Sequence, residues 1–136
     1  YVIAQNDNVI SVNAAVEVDL WGQVCAETVG SRILSGTGGQ VDYVRGACQS
    51  KGGKSFIAFA STVNVKGELH SKICPTLTHG AVCTTSKNDV DCIVTEYGIA
   101  RLRGRTLSQR TRALIAVAHP KFRDELTFEA KKAGIL

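Results

Sequence analysis

Ser35-Gly36-Thr37-Gly38-Gly39-Gln40-Val41-Asp42-Tyr43-Val44-Arg45-Gly46-Ala47 runs a glycine cluster straight into a segment with apolar residues at helical spacing, Val41, Val44 and Cys48. Glycines lack the Cβ atoms that would hold a ligand away from the backbone. A helix starting behind them would aim unpaired N–H groups and the positive end of its dipole into the loop. Such a loop suits a phosphate, or an oxygen that gains negative charge during a reaction. The same residues would equally make a plain tight turn into a helix, and the rest of the chain has to decide between the two. Two nucleotide motifs are excluded. Gly36 and Gly38 match the start of Gly-x-Gly-x-x-Gly, but Val41 stands at the third glycine. Gly53-Lys54-Ser55 lacks the earlier glycine of a P-loop and precedes a strand rather than a helix.

Working outward, Ile10, Val12, Ala14, Val16, Val18 and Leu20 alternate with Ser11, Asn13, Ala15, Glu17 and Asp19. A period of two predicts one long half-buried strand with the first set inward. Trp21-Gly22 turns the chain, and Gln23 to Glu27 reads as a returning strand. The helix after the glycine loop is expected over 41–50, ending at Gly52-Gly53. Lys54 to Thr62 reads as a buried strand, with shorter strands at 69–74 and 81–85, while 89–98 fits either a strand or one helical turn. Thr106-Leu107-Ser108-Gln109 has the form of a capping box. It opens a helix that His119-Pro120 stops, and a last helix runs from Lys121 to Ala133, ending at Gly134. Together these elements make one α/β domain over residues 1–136.

The bulk composition narrows the function. The 136 residues have ordinary apolar and charged fractions, and no apolar run approaches the ~20 residues that cross a bilayer. The five cysteines are widely spaced without Cys-x-x-Cys, which argues against a disulfide framework and for a cytoplasmic setting. Cys74, His79 and Cys83 could form a metal cluster only weakly, and no metal is expected. His70 and His119 are lone residues expected at the surface or in caps. Arg101, Arg103, Arg105, Arg110 and Arg112 carry much of the positive charge, but no aromatic residues are interleaved for base stacking. A solvated or anion-facing edge is expected there, and nucleic acid is not. Asn13, Glu17 and Asp19 project from the other side of the first strand; a buried Glu17 or Asp19 would need a partner such as Arg45. Glu96 is an acid/base candidate without a paired group. The residues themselves thus yield an anion-tolerant loop on an α/β scaffold, with no nucleophile.

Longer stretches carry a resemblance. They are Tyr1-Val-Ile-Ala-Gln-Asn-Asp-Asn8, Val16-Glu-Val-Asp-Leu20 with Gly22-Gln23, the glycine stretch 35–47, Gly52-Gly-Lys-Ser55, Thr84-Thr-Ser-Lys-Asn-Asp-Val-Asp91, Val94-Thr-Glu-Tyr-Gly-Ile-Ala100 and Ala118-His-Pro-Lys-Phe-Arg-Asp-Glu-Leu126. In these, and across the whole chain, the sequence resembles the C-terminal domain of the acetyl-CoA hydrolase/transferase family, most closely the 4-hydroxybutyrate CoA-transferases. The resemblance implies a CoA-transferase-like fold of the NagB/RpiA/CoA-transferase type, an open sheet with flanking helices. It implies transfer of CoA from an acyl-CoA to a short-chain carboxylate (4-hydroxybutyrate, butyrate or acetate) through a glutamyl-CoA thioester. Coenzyme A enters as substrate, with no tightly bound cofactor.

The family's nucleophilic glutamate lies upstream of the matched segment, so the resemblance places no catalytic residue in this chain and implies an N-terminal domain as partner, in a homodimer. The implied oxyanion and CoA-facing residues are Gly39 first, then Gly38 and Gly36, with Gln40 and Asn13 lining the site. Ala60 replaces a proline common in relatives, and 63–66 departs from the family pattern. An acetyl-CoA hydrolase and a non-catalytic CoA-binding domain are the rival readings.

Overall fold

The alternation from Ile10 to Leu20 divides into two strands in different sheets, β1 (Ile10–Asn13) and β2 (Glu17–Asp19). The computed structural model describes residues 1–136 and continues with β3 (Val24–Cys25), β4 (Thr28–Val29), β5 (Arg32–Ile33) and α1 (Gln40–Gln49). Next come β6 (Lys54–Ala58), β7 (Thr62–Val65), β8 (Glu68–Ser71), β9 (Ile73–Cys74), β10 (Cys92–Thr95) and β11 (Gly98–Arg101). Helices α2 (Leu107–Val117) and α3 (Arg123–Lys132) close the chain, with a 3-10 turn at Pro120–Phe122 between them.

The main sheet has the order β1-β6-β10-β11, its first three strands parallel and β11 antiparallel. A smaller sheet has the order β3-β2-β9, and β4–β5 and β7–β8 are separate hairpins. Helix α1 crosses from β1 to β6 and packs on both, while α2 packs on β10 and β11. Beneath the helices lie Ser11, Ser55, Ile57, Ile93, Thr95 and Ala100, all buried. Thr95 fixes the α2 end by donating its hydroxyl to the Val117 carbonyl at 2.6 Å.

Three expectations are corrected here. In β1 it is Ser11 that is buried, whereas Ile10 and Val12 face outward. The apolar set therefore points away from the helices, and the inward set is small enough to let α1 approach. The run from Lys54 to Thr62 breaks after Ala58, and its last residue opens the β7–β8 hairpin. Residues 81–85 form no strand; Thr85 makes only an isolated bridge to Val24. The ambiguous 89–98 stretch contains β10, and the departure at 63–66 falls at the hairpin tip, where Lys66 takes a positive φ of 52°.

The helix ends were readable for physical reasons. Thr106 accepts from the Gln109 N–H while the Gln109 side chain accepts from the Thr106 N–H, completing the capping box. Thr106→Ala removes one of these bonds at an exposed site. Chemical denaturation should lose about 1 kcal/mol with an unchanged m-value. No helix is long and apolar enough to cross a membrane.

Arg110 departs from the picture of a solvated basic edge. It is buried, and its guanidinium donates to the carbonyls of Trp21 (3.2 Å), Leu102 (3.0 Å) and Lys87 (2.8 Å). Thr111 adds a bond to the Leu20 carbonyl at 2.9 Å. Together they moor α2 to the turn at Trp21-Gly22, where Gly22 has φ of 85°. Arg101, Arg103 and Arg105 remain exposed.

Candidate functional site

Three parallel strands end together, and the chain leaving them builds the site. In open α/β sheets, ligands sit outside the carboxyl ends of the strands. Helix α1 begins there. Gln40 donates from Nε2 to the Ala14 carbonyl, just beyond β1, at 2.8 Å, and its Oε1 accepts from the Thr85 hydroxyl at 2.7 Å. Gln40 thus ties the helix start to the end of β1, with both ends of its amide engaged. Asn13 is half-buried and donates to the Ser11 hydroxyl at 2.8 Å.

Gly36, Gly38 and Gly39 lie exposed in the loop before α1, and Gly39 is the N-cap residue with φ −85°. None of the three has a positive φ, so left-handed backbone does not explain the glycines. A Cβ at Gly36 or Gly38 would meet nothing within 4 Å, whereas one at Gly39 would touch the Tyr43 ring at 3.4 Å. Packing within the chain does not explain them either. The N–H groups of Gly36, Thr37, Gly38 and Gly39 have no acceptor in the chain. These four donors thus lie in an exposed loop that runs into the positive end of α1, with Gly39 itself at the N-cap.

One residue that fixes this loop escaped the sequence reading. Glu27, buried, accepts from the Thr37 hydroxyl at 2.6 Å, and its backbone carbonyl accepts from Leu34 N–H (2.8 Å) and Ser35 N–H (3.2 Å). The β4–β5 hairpin brings the two side chains together across ten residues. The Thr37 hydroxyl, and then the Thr84 hydroxyl, hold the Glu27 carboxyl below its ordinary value of 4.5. A depressed folded-state value means that the anchor is fully present above pH 4.5 and weakens as acid protonates the folded form. Thr37→Val should therefore speed exchange of the Leu34 and Ser35 amides, which the Glu27 carbonyl holds, by about tenfold at neutral pH, the worth of one charge-assisted bond. In the unsubstituted protein the same loosening should appear only below pH 4.5.

At the neighbouring strand ends, Glu96 follows β10 and accepts from Ser61 N–H (2.8 Å) and the Ser61 hydroxyl (2.6 Å). Ser61 keeps it below the usual carboxylate range, which suits an anchored anion rather than a proton donor. Lys72 donates to the Ala15 carbonyl at 2.9 Å, with its ammonium 5.0 Å above the Phe59 ring; burial pushes its pKa down.

The other candidates fall elsewhere. Asp19 is buried, but its partners are Trp21 N–H (3.0 Å), Gln23 N–H (2.9 Å) and Gln23 Nε2 (2.8 Å), not Arg45. Arg45 instead forms a two-pronged pair with Asp89, each bond 3.0 Å. Glu17 accepts from both Thr78 groups at 2.8 Å. His119 caps the 3-10 turn by accepting from Lys121 N–H. No group of three or more His, Cys, Asp or Glu side chains is placed to hold a metal ion, Cys74, His79 and Cys83 included.

Comparison with known proteins places this geometry. Residues 1–130 match the family model of the acetyl-CoA hydrolase/transferase C-terminal domain. The 4-hydroxybutyrate coenzyme A transferase of Clostridium kluyveri is 57% identical over 131 residues, covering 96% of this chain and 30% of the relative. The probable butyrate:acetyl-CoA coenzyme A-transferase of Syntrophomonas wolfei is 53% identical over 135 residues, covering 99% of this chain and 30% of the relative. Among solved structures, RipA from Yersinia pestis superposes with a TM-score of 0.90 at 45% identity, covering 99% of this chain and 30% of that one. The chain thus spans about 30% of the length of these relatives. A match over nearly every residue, with the fold retained, makes this chain a member of the acetyl-CoA hydrolase/transferase family, corresponding to its C-terminal domain.

Proposed function

We propose that residues 1–136 form the C-terminal domain of an acyl-CoA:carboxylate CoA-transferase of the 4-hydroxybutyrate, butyrate or acetate type, built on the NagB/RpiA/CoA-transferase fold. The observation that carries this reading is the run of four acceptor-free N–H groups at Gly36–Gly39, beside the strand ends, in a chain whose relatives bear transferase names. A glutamate N-terminal to residue 1 attacks the acyl-CoA carbonyl and expels the CoA thiolate, leaving an acyl-glutamyl anhydride. The thiolate then attacks the glutamyl carbonyl and releases the first carboxylate, leaving a glutamyl-CoA thioester. The second carboxylate reverses both steps. Each attack puts negative charge on a carbonyl oxygen, and the Gly38 and Gly39 N–H groups stabilise it without reorganisation.

Gln40, with its amide committed to Ala14 and Thr85, holds the loop rather than the ligand. Asn13 lines the site from the end of β1. Coenzyme A is a substrate in this scheme, and the enzyme works in the cytoplasm as a homodimer.

Transferase and hydrolase readings separate in one assay of the full-length protein. With butyryl-CoA, added acetate should accelerate loss of substrate and appear as acetyl-CoA. Loss that is independent of acetate and yields only free CoA would assign a hydrolase.

A further inference from the structure

Strand β11 runs antiparallel to its neighbours, so the chain leaving it emerges where the parallel strands begin, at the opposite end of the main sheet from the glycine loop. There Gly104 takes φ of 74°, and the turn it makes sets Arg103 and Arg105 into the wall of one hollow of about 410 Å3. Lys87, Arg110, Trp21 and Leu107 form most of the remaining wall. This volume falls in the roughly 300–1,000 Å3 range of small-molecule sites.

Four cationic side chains thus face one cavity, and no carboxylate lines it. None of the four takes part in the chain's ion pairs. The acids that feel them are committed elsewhere. Asp89, beside Arg103, is held by Arg45, and Asp19, which acts on Arg110, accepts from Trp21 and Gln23. Arg110 is buried and bonds only to carbonyls, which satisfy its N–H groups without cancelling its charge. A buried cation is ordinarily paired. The first turn of α2, which starts at Leu107 on the same wall, adds the positive end of its dipole and carries no acidic residue.

We infer that this hollow binds a small molecule, separate from coenzyme A, that bears two or more phosphate groups held between Arg103, Arg105 and Lys87. Arginine forks match phosphate oxygens in pairs, and several uncompensated cations call for an anion of more than one charge. The half-buried Trp21 ring and Leu107 give an apolar wall for the rest of the ligand. A concave site with a single aromatic ring suits a small molecule rather than a nucleic-acid strand, which needs successive stacking platforms. The inference goes beyond the transferase reading and does not depend on it.

The test is calorimetric titration of full-length protein with inorganic pyrophosphate, in buffer free of other phosphate. The expected result is saturation at one site per chain. Arg103→Gln and Arg105→Gln should each raise Kd about tenfold or more, the worth of one charge-assisted bond. Both side chains are exposed, so the melting temperature of each variant stays within about 2 °C of the parent. Arg110, which moors α2, is left in place. Absence of saturable binding, or parental affinity in both variants, would overturn the inference. A repeat in saturating CoA separates the two sources of phosphate. Unchanged pyrophosphate binding supports a second ligand, whereas complete displacement would assign the hollow to the coenzyme's own phosphates and overturn it.

Discussion

Gly38→Val in the full-length protein should lower kcat/KM for the proposed CoA transfer by ~100- to 1000-fold: the added side chain leaves the N–H in place but holds the substrate oxygen away from it, which costs about as much as losing one preorganised oxyanion donor. Its melting temperature stays within about 2 °C of the parent, as expected for an exposed substitution away from strained backbone. The separation of the two readouts is what gives the variant its force. Gly38 has no positive φ, and a Cβ there meets no atom of this chain within 4 Å. Steric conflict can then come only from what approaches the loop from outside. Gly39→Val is less clean, because its Cβ would already press on the Tyr43 ring at 3.4 Å and it caps α1. An unchanged kcat/KM in Gly38→Val would remove the loop from the chemistry.

Asp19→Ala should cost about 3 kcal/mol and lower the melting temperature by roughly 10 °C. The carboxylate lies at 1% exposure and accepts three hydrogen bonds, from the N–H groups of Trp21 and Gln23 and from the Gln23 amide. Burial pushes its pKa up, and the donors from Gln23 and Trp21 oppose that push. Truncation leaves three donors without an acceptor where water has little access. The turn they shape is also the mooring point of Arg110 and Thr111, so α2 loosens with it. Calorimetry of Asp19→Ala beside Asp19→Asn checks this. Asn keeps an acceptor oxygen and should retain part of the loss.

The sequence announced helices better than strands, for reasons visible in particular residues. Thr106 and Gln109 cap α2 through their own side chains, and Gly134 stops the last helix with φ of 70°. Such signals are local. The alternation from Ile10 to Leu20 is local as well, but it cannot tell which side of a strand is covered. Ile10 and Val12 face away from α1, and Ser11 takes the inner place. A rule that sends apolar residues inward reverses β1 because its apolar side has no cover within residues 1–136. The glycine loop was legible as an N-terminal helix loop, yet its anchor was not. Glu27 meets Thr37 only once the β4–β5 hairpin folds back, and nothing at a spacing of ten residues signals it. Asp19 was legible as an acid that burial would force into a partnership. Its partners are mostly backbone N–H groups, which every sequence position offers, so no side chain in the sequence could point to them.

In the proposed reaction CoA moves through a thioester on a glutamate outside these residues, with the glycine loop holding the oxyanion. Full-length enzyme is incubated with butyryl-CoA alone, quenched in acid, digested and mapped by mass spectrometry for a peptide carrying one CoA. The expected result is a single adduct on a glutamate N-terminal to residue 1, with a strongly reduced yield in Gly38→Val. An adduct on Glu17, Glu27, Glu68 or Glu96, or continued transfer with no adduct anywhere, would contradict it.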